Sequence, residues 1–204
     1  RLGAVMCPDP HAGPSGQYMV RSLYFDTPGC RALREKLDGL DRREKFRIRL
    51  YNGDTDLLRL EKKSKVHGLC SKESAVLAPA EAQAILEGEL GWMPGARDRP
   101  LVQELYVKMR TQGLRPRTIV DYTREPFLYG PGNVRVTLDY DIRTGLRSIG
   151  FLNPSCVTIP VRGGLAVLEV KWDAYLPEVV KDVVQLGSRQ ASAFSKYAAC
   201  TPLT

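Results

Sequence analysis

Histidine is almost absent: His11 and His67 are the only two in 204 residues, and both lie in loop-like surroundings next to glycine. None is placed by sequence beside Ser64, Ser71 or a cysteine, so an activated hydroxyl or thiol nucleophile has no visible base. Cysteine is sparse as well. Cys7, Cys30, Cys70, Cys156 and Cys200 are odd in number, scattered and without a C-x-x-C pair, which excludes the zinc and redox sites built on that spacing. Free thiols in a reducing cytosol are the simplest reading. No apolar run approaches the roughly 20 residues that span a bilayer. No signal peptide is visible, and no repeat, low-complexity tract or long linker divides the chain. The expectation is one cytoplasmic domain over residues 1–204.

What the chain does contain is positive charge and alternation. The 30 Lys plus Arg against 23 Asp plus Glu give a net charge of +7, which favours anionic partners: nucleic acid, phosphorylated metabolites, polyphosphate or an anionic membrane surface. A chain of this length buries about 70% of its unfolded surface and needs neither disulfide nor metal to fold. Period-two alternation predicts strands over 17–25, 44–51, 56–66, 69–76, 117–124, 133–141 and 166–172, with a weaker one at 156–161. Helices are predicted from an N-cap at Asp26 and Pro28 to Gly39, from Pro79 through Glu87, over 99–112, and from Pro177 to Ala199 with a break near Gly187. The fold class is α+β with one antiparallel sheet.

The strand faces carry the chemistry. In 44–51, Lys45, Arg47, Arg49 and Tyr51 point one way and Phe46, Ile48 and Leu50 the other. Arg59, Glu61, Lys63 and Lys65 share a face of 56–66, Arg135, Thr137, Asp139 and Asp141 a face of 133–141, and Glu169 and Lys171 a face of 166–172. Lys72 sits in a further strand. For any single strand a half-solvated sheet accounts for this. Repeated on neighbours, clustered cations repel unless something anionic lies between them. A barrel with apolar faces outward under helices and charged faces inward would be a phosphate passage, gripped by Arg forks and Lys point charges. The interleaved carboxylates admit a hard divalent cation bridging them to phosphate oxygens. They also admit internal pairing, Glu61 with Lys63 or Glu169 with Lys171. On residues alone both readings of Glu61 stand, and pairing is slightly favoured for Glu169.

Eight runs in order then resemble one family. SLYFDT (Ser22 to Thr27), FRIRLY (Phe46 to Tyr51), LEKKSK (Leu60 to Lys65), SKES (Ser71 to Ser74), DYTRE (Asp121 to Glu125), RVTLDYDIRTG (Arg135 to Gly145), LEVKWD (Leu168 to Asp173) and LGSRQASAFSKY (Leu186 to Tyr197) cover nearly the whole chain. Together they resemble the polyphosphate polymerase domain called the VTC domain, in its bacterial form. The resemblance implies the triphosphate tunnel metalloenzyme fold: an eight-stranded antiparallel β-barrel with flanking helices, phosphates inside, and Mn²⁺ or Mg²⁺ on acidic residues. It implies catalytic roles for Arg47, Arg49, Lys63, Tyr122 and Arg124, and substrate binding by Lys72, Arg135, Lys171, Ser195 and Lys196. Glu169 is implied as metal ligand, with Glu61 and Asp139 as further acidic candidates.

The implied reaction is transfer of the γ-phosphate of a nucleoside triphosphate such as ATP onto a growing polyphosphate chain, with pyrophosphate and polyphosphate as further ligands. Family members are coupled to membrane proteins, so a membrane partner is part of the expectation. The family opens with a strand containing a K-Y pair, which nothing before Gln17 matches. RLGAVMCPDPHAG reads as the helix end and loop that follow it, so the chain is expected to be cut upstream of Arg1. Three readings stand against polymerisation. A hydrolase on the same barrel would carry E-x-E-x-K in that opening strand, a binding protein would show no turnover, and a nucleic-acid module would present aromatics among accessible cations without interleaved carboxylates.

Overall fold

The computed structural model describes residues 1–187 and 189–201. Ser188, inside the predicted C-terminal helical stretch, and residues 202–204 of the expected domain lie outside them. Nine strands form one antiparallel sheet: β1 (Cys7–Pro8), β2 (Tyr18–Asp26), β3 (Arg43–Tyr51), β4 (Asp54–Val66), β5 (Leu69–Leu77), β6 (Arg115–Tyr129), β7 (Val134–Thr144), β8 (Ile159–Pro160) and β9 (Val167–Lys171). The order is β5-β4-β3-β2-β6-β7-β8, with β1 continuing the β2 side of β6 and β9 pairing the first half of β7. Helices α1 (Arg31–Leu37), α2 (Pro79–Glu87), α3 (Pro100–Gln112), α4 (Glu178–Val184) and α5 (Lys196–Cys200) flank it. The predicted α+β class and tunnel-like sheet are present. Hydrogen-bonded closure is not: among the described residues β5 pairs only with β4, and β9 only with β7. No helix among them is long and apolar enough to cross a membrane.

Each predicted strand forms. β6 runs on to Tyr129 through Pro126, a residue that weakens the sequence signal because it cannot donate to a ladder. Its carbonyl instead accepts the Asp9 amide at 3.0 Å, which seats the short β1. β1 has two residues, one of them proline, and no alternation could announce it. The first helix starts later than the sequence suggests, at Arg31, after a turn in which Cys30 has φ 54. Asp26 still caps it, accepting from the amides of Ala32 and Leu33 at 2.9 and 3.2 Å. The C-terminal stretch is helical only as α4 and α5.

Alternation sorts the two faces of the sheet. Outward, Leu23, Phe46, Ile48, Leu60 and Ile119 are buried against Ile85 of α2 and Val102 and Leu105 of α3, while Val134 and Val136 pack against Val180 of α4. Inward lie the charged residues, together with a third apolar group in which Val20, Tyr24, Val120 and Tyr122 meet Tyr197 and Cys200 of α5. One residue departs from the predicted parity. Asp121 pairs with Arg143 but Thr123 with Tyr140, so β7 holds an extra residue there. Asp141 takes φ 46 in this bulge and pairs with Arg143 at 3.5 Å instead of joining Arg135, Thr137 and Asp139.

On the outer face the Arg21 Nε and Nη2 donate to both oxygens of Asp121 at 3.0 and 2.9 Å, and Nη1 donates to the Asn153 carbonyl at 2.9 Å. This buried pair ties β2 and β6 to the loop that delivers the fully buried Phe151. Asp121→Ala strands the guanidinium and is expected to cost about 3–5 kcal/mol in urea denaturation, whereas Arg21→Met with Asp121→Leu recovers most of that loss.

Candidate functional site

The inward faces enclose a cavity of about 560 Å³. Ten Lys and Arg side chains line it against two carboxylates, Asp9 and Glu169. The strand register stacks the cations in rows. Lys45 of β3 lies opposite Lys63 of β4, which lies opposite Lys72 of β5, and two residues along Arg47 faces Glu61. Arg49 and Arg59 face each other in the next row. Among the described residues Lys45, Arg59 and Lys63 have no carboxylate within ion-pair distance, although like charges directly opposed on a sheet repel. Burial, reinforced by Arg47 and other neighbouring cations, holds the Lys45 and Lys63 ammonium groups below the ordinary lysine value.

Two buried carboxylates keep the arginines in place. Glu61, 1% exposed, accepts from Arg47 Nε at 2.7 Å, with Arg49 Nη1 3.7 Å away and the Lys72 Nζ 2.6 Å from its other oxygen. Burial alone would raise its pKa, but Arg47 and Arg49 hold it at about 2. Asp139, also fully buried, accepts from Arg124 Nε and Nη2 at 2.7 and 2.8 Å and lies 2.5 Å from the Lys196 ammonium. It too is held below the carboxylate range against the effect of burial. Tyrosines complete the support: Arg47 Nη1 donates to the Tyr24 hydroxyl at 3.0 Å, and Arg49 donates to Ser22 and Tyr122 at 3.1 and 3.2 Å. The Arg124 guanidinium and Lys196 ammonium sit 5.4 and 4.7 Å from the centre of the Tyr122 ring.

The C-terminal segment enters the cavity at Phe194, Ser195 and Lys196. Ser195 caps α5, accepting from the Ala198 amide at 3.4 Å. Tyr197 fixes the position of this segment. Its ring stacks on Tyr24 at 5.0 Å and its hydroxyl donates to Asp26 at 2.6 Å, the same carboxylate that caps α1. Tyr24, buried beneath, has its pKa lowered to about 8: burial raises it, and Arg47, Lys45 and Arg49 more than offset that.

Every sequence-derived substrate residue reaches this cavity: Arg47, Arg49, Lys63, Lys72, Tyr122, Arg124, Arg135, Lys171, Ser195 and Lys196 all line it. The carboxylates divide. Glu61 pairs with Arg47 and Lys72 instead of Lys63, and with Asp139 it is taken up by internal ion pairs. Glu169 presents a half-exposed carboxylate to the cavity, 3.3 Å from Lys171 and 3.9 Å from Arg124. No group of three or more His, Cys, Asp or Glu able to hold a metal occurs among the described residues. One carboxylate beside a cationic surface does fit Mg²⁺ or Mn²⁺, which are commonly held by one or two carboxylates plus substrate phosphates. Strand parity already placed Lys45 and Arg59 on cationic faces, and both belong to the site. Tyr24 could not be assigned to a face that way, because β2 is buried on both faces and its burial does not alternate. Asp9 and His11 come from the unpatterned N-terminal stretch and Tyr18 from the first residue of β2; Asp9 and Tyr18 hold Arg135 at 2.9 and 3.2 Å.

A family model described as the VTC domain matches residues 1–203. Among solved structures, the chain is similar to a candidate adenylate cyclase of Bacillus halodurans, with 16% identity and a TM-score of 0.46, covering 89% of this chain and 83% of that one. It is also similar to a protein of Pyrococcus horikoshii OT3, with 15% identity and a TM-score of 0.38, covering 82% and 70%. No curated protein matches.

Two outcomes follow from the buried charges. Glu61 has a depressed folded pKa, so its contribution to stability is present above its ordinary 4.5 and is lost as pH falls through about 2. Thermal unfolding should therefore show a loss on acidification across that window that is absent in Glu61→Gln, itself destabilised at neutral pH. Phenolate absorbance in the near ultraviolet should show one tyrosine ionising near pH 8, and Tyr24→Phe should remove that step alone.

Proposed function

The chain belongs to the VTC domain family, and from that membership together with the cavity we propose that it is a polyphosphate polymerase. The observation that carries this reading is the set of opposed cations lining the cavity, of which Lys45, Arg59 and Lys63 have no carboxylate within ion-pair distance among the described residues. A linear polyanion neutralises them in a way that water cannot. A triphosphate lies along the rows, its oxygens held by the Arg47, Arg49 and Arg124 forks and by Lys63 and Lys196. The terminal oxygen of a phosphate chain attacks the γ-phosphorus. The bond to the bridging oxygen breaks, the nucleoside diphosphate leaves with the electron pair, and the chain is longer by one phosphate.

No side chain forms a covalent intermediate. The protein contributes alignment and stabilisation of charge on the transferring group, the two effects on which phosphoryl transfer chiefly relies. The arginines are aligned before substrate arrives, because Glu61, Asp139 and the tyrosines hold their forks. Glu169 is the residue that would hold Mn²⁺ or Mg²⁺. Such an ion, when bound, neutralises phosphate oxygens and orients the triphosphate.

Incubation with ATP and Mn²⁺, following long-chain polyphosphate and free phosphate together, should yield polyphosphate that disappears in Lys63→Ala and Arg49→Ala. Free phosphate alone would assign a hydrolase, and no turnover with retained binding would assign a binding protein. The pH profile has a definite sign. Polyanion binding favours the ammonium forms of Lys45 and Lys63, whose pKa values are lowered, so tripolyphosphate affinity should begin to fall below the ordinary lysine value of 10.5 as pH rises.

A further inference from the structure

The charge does not end with the cavity. At the β3–β4 hairpin the rows of these two strands finish in Tyr51, Asn52 and Leu57, before the exposed Asp54 and Asp56, while Arg135, 3.2 Å from the Tyr18 hydroxyl beside Tyr51, borders the same mouth. At the opposite mouth the rows continue one step beyond Lys45 and Lys63: Arg43 lies directly opposite Lys65. That step is two residues of antiparallel strand, about 7 Å. By strand parity both side chains fall on the cationic face. The Lys45 ammonium feels Arg43 and also Lys36 of α1, which places three cations around this mouth. None of the three has a carboxylate within ion-pair distance among the described residues. Arg43 donates to the Leu40 carbonyl, which orients it without neutralising it. Asp41, at the same end, is engaged by the Gly68 amide at 2.8 Å and by His67 at 3.5 Å.

We propose that Arg43 and Lys65, with Lys36 beside them, form a second anion site that takes only phosphate chains long enough to emerge from the cavity past β3 and β4. This rests on the phosphate-chain reading and adds a dependence on chain length. Opposed cations at an exposed rim gain from a polyanion that spans them. The rim and the cavity therefore discriminate by length: a short ligand is held by the Arg47 to Arg124 region alone, whereas a long one also reaches the rim.

The test is binding, measured separately from turnover, of tripolyphosphate and of long-chain polyphosphate to the unaltered protein and to Arg43→Gln with Lys65→Gln. The expected result is a several-fold loss of long-chain affinity and a shallower salt dependence, with tripolyphosphate affinity unchanged. Asp54→Asn with Asp56→Asn, at the other mouth, should leave long-chain affinity equal or higher. Unchanged long-chain affinity in the rim variant, or equal losses for both ligands, would overturn the second site while leaving the cavity reading intact. Failure of the unaltered protein to bind either ligand would overturn both.

Discussion

Repulsion between like charges on adjacent strands governs this structure. A sheet that turns Lys45, Lys63 and Lys72 toward one another, with Arg47, Arg49 and Arg59 close by, must offset that repulsion from within or supply it with a ligand. It does both. Glu61 and Asp139 are each buried among cations, where burial alone would have neutralised them, and they remain ionised because two or more positive groups surround each one. The carboxylates serve as scaffold for the guanidinium groups. The cations they do not reach, Lys45, Arg59 and Lys63, have no carboxylate within ion-pair distance among the described residues.

The same economy joins the ends of the chain to the site. Asp26 caps α1 and accepts from Tyr197, Tyr197 stacks on Tyr24, and Tyr24 accepts from Arg47. A short helix of five residues is thereby fixed closely enough to hold Lys196 against Asp139 and over Tyr122. At the other terminus, Asp9 reaches Arg135 because the Asp9 amide is held by the Pro126 carbonyl. Neither segment has much secondary structure, and each delivers one functional charge.

Strands with one wet and one dry face were readable from alternation, so β3, β4, β7 and β9 gave both their extents and the face of each cation. β2 was readable as a strand but not by face, since Val20, Ser22 and Tyr24 are as buried as Leu23 and Phe25. The bulge at Asp141 was invisible because one inserted residue leaves no compositional trace. Partner choice was the other limit. Parity put Glu61 and Lys63 on one face, but they are neighbours along a strand, two residues apart, whereas Arg47 and Lys72 stand on the adjacent strands. Register, which depends on how hairpins close, decided which cation the carboxylate met. The division among the three carboxylates followed from that, and residue spacing alone could not have drawn it.

The unpaired edges of β5 and β9 bear on topology in the mathematical sense. A passage closed all round can take a polymer only by its end, and one already inside cannot leave without sliding its whole length through. Where one long side has no ladder across it, a chain can be laid in at its middle and lifted out again. Among the described residues no ladder joins the β5 and β9 edges, so the backbone around this cavity has the topology of a groove and not of a ring.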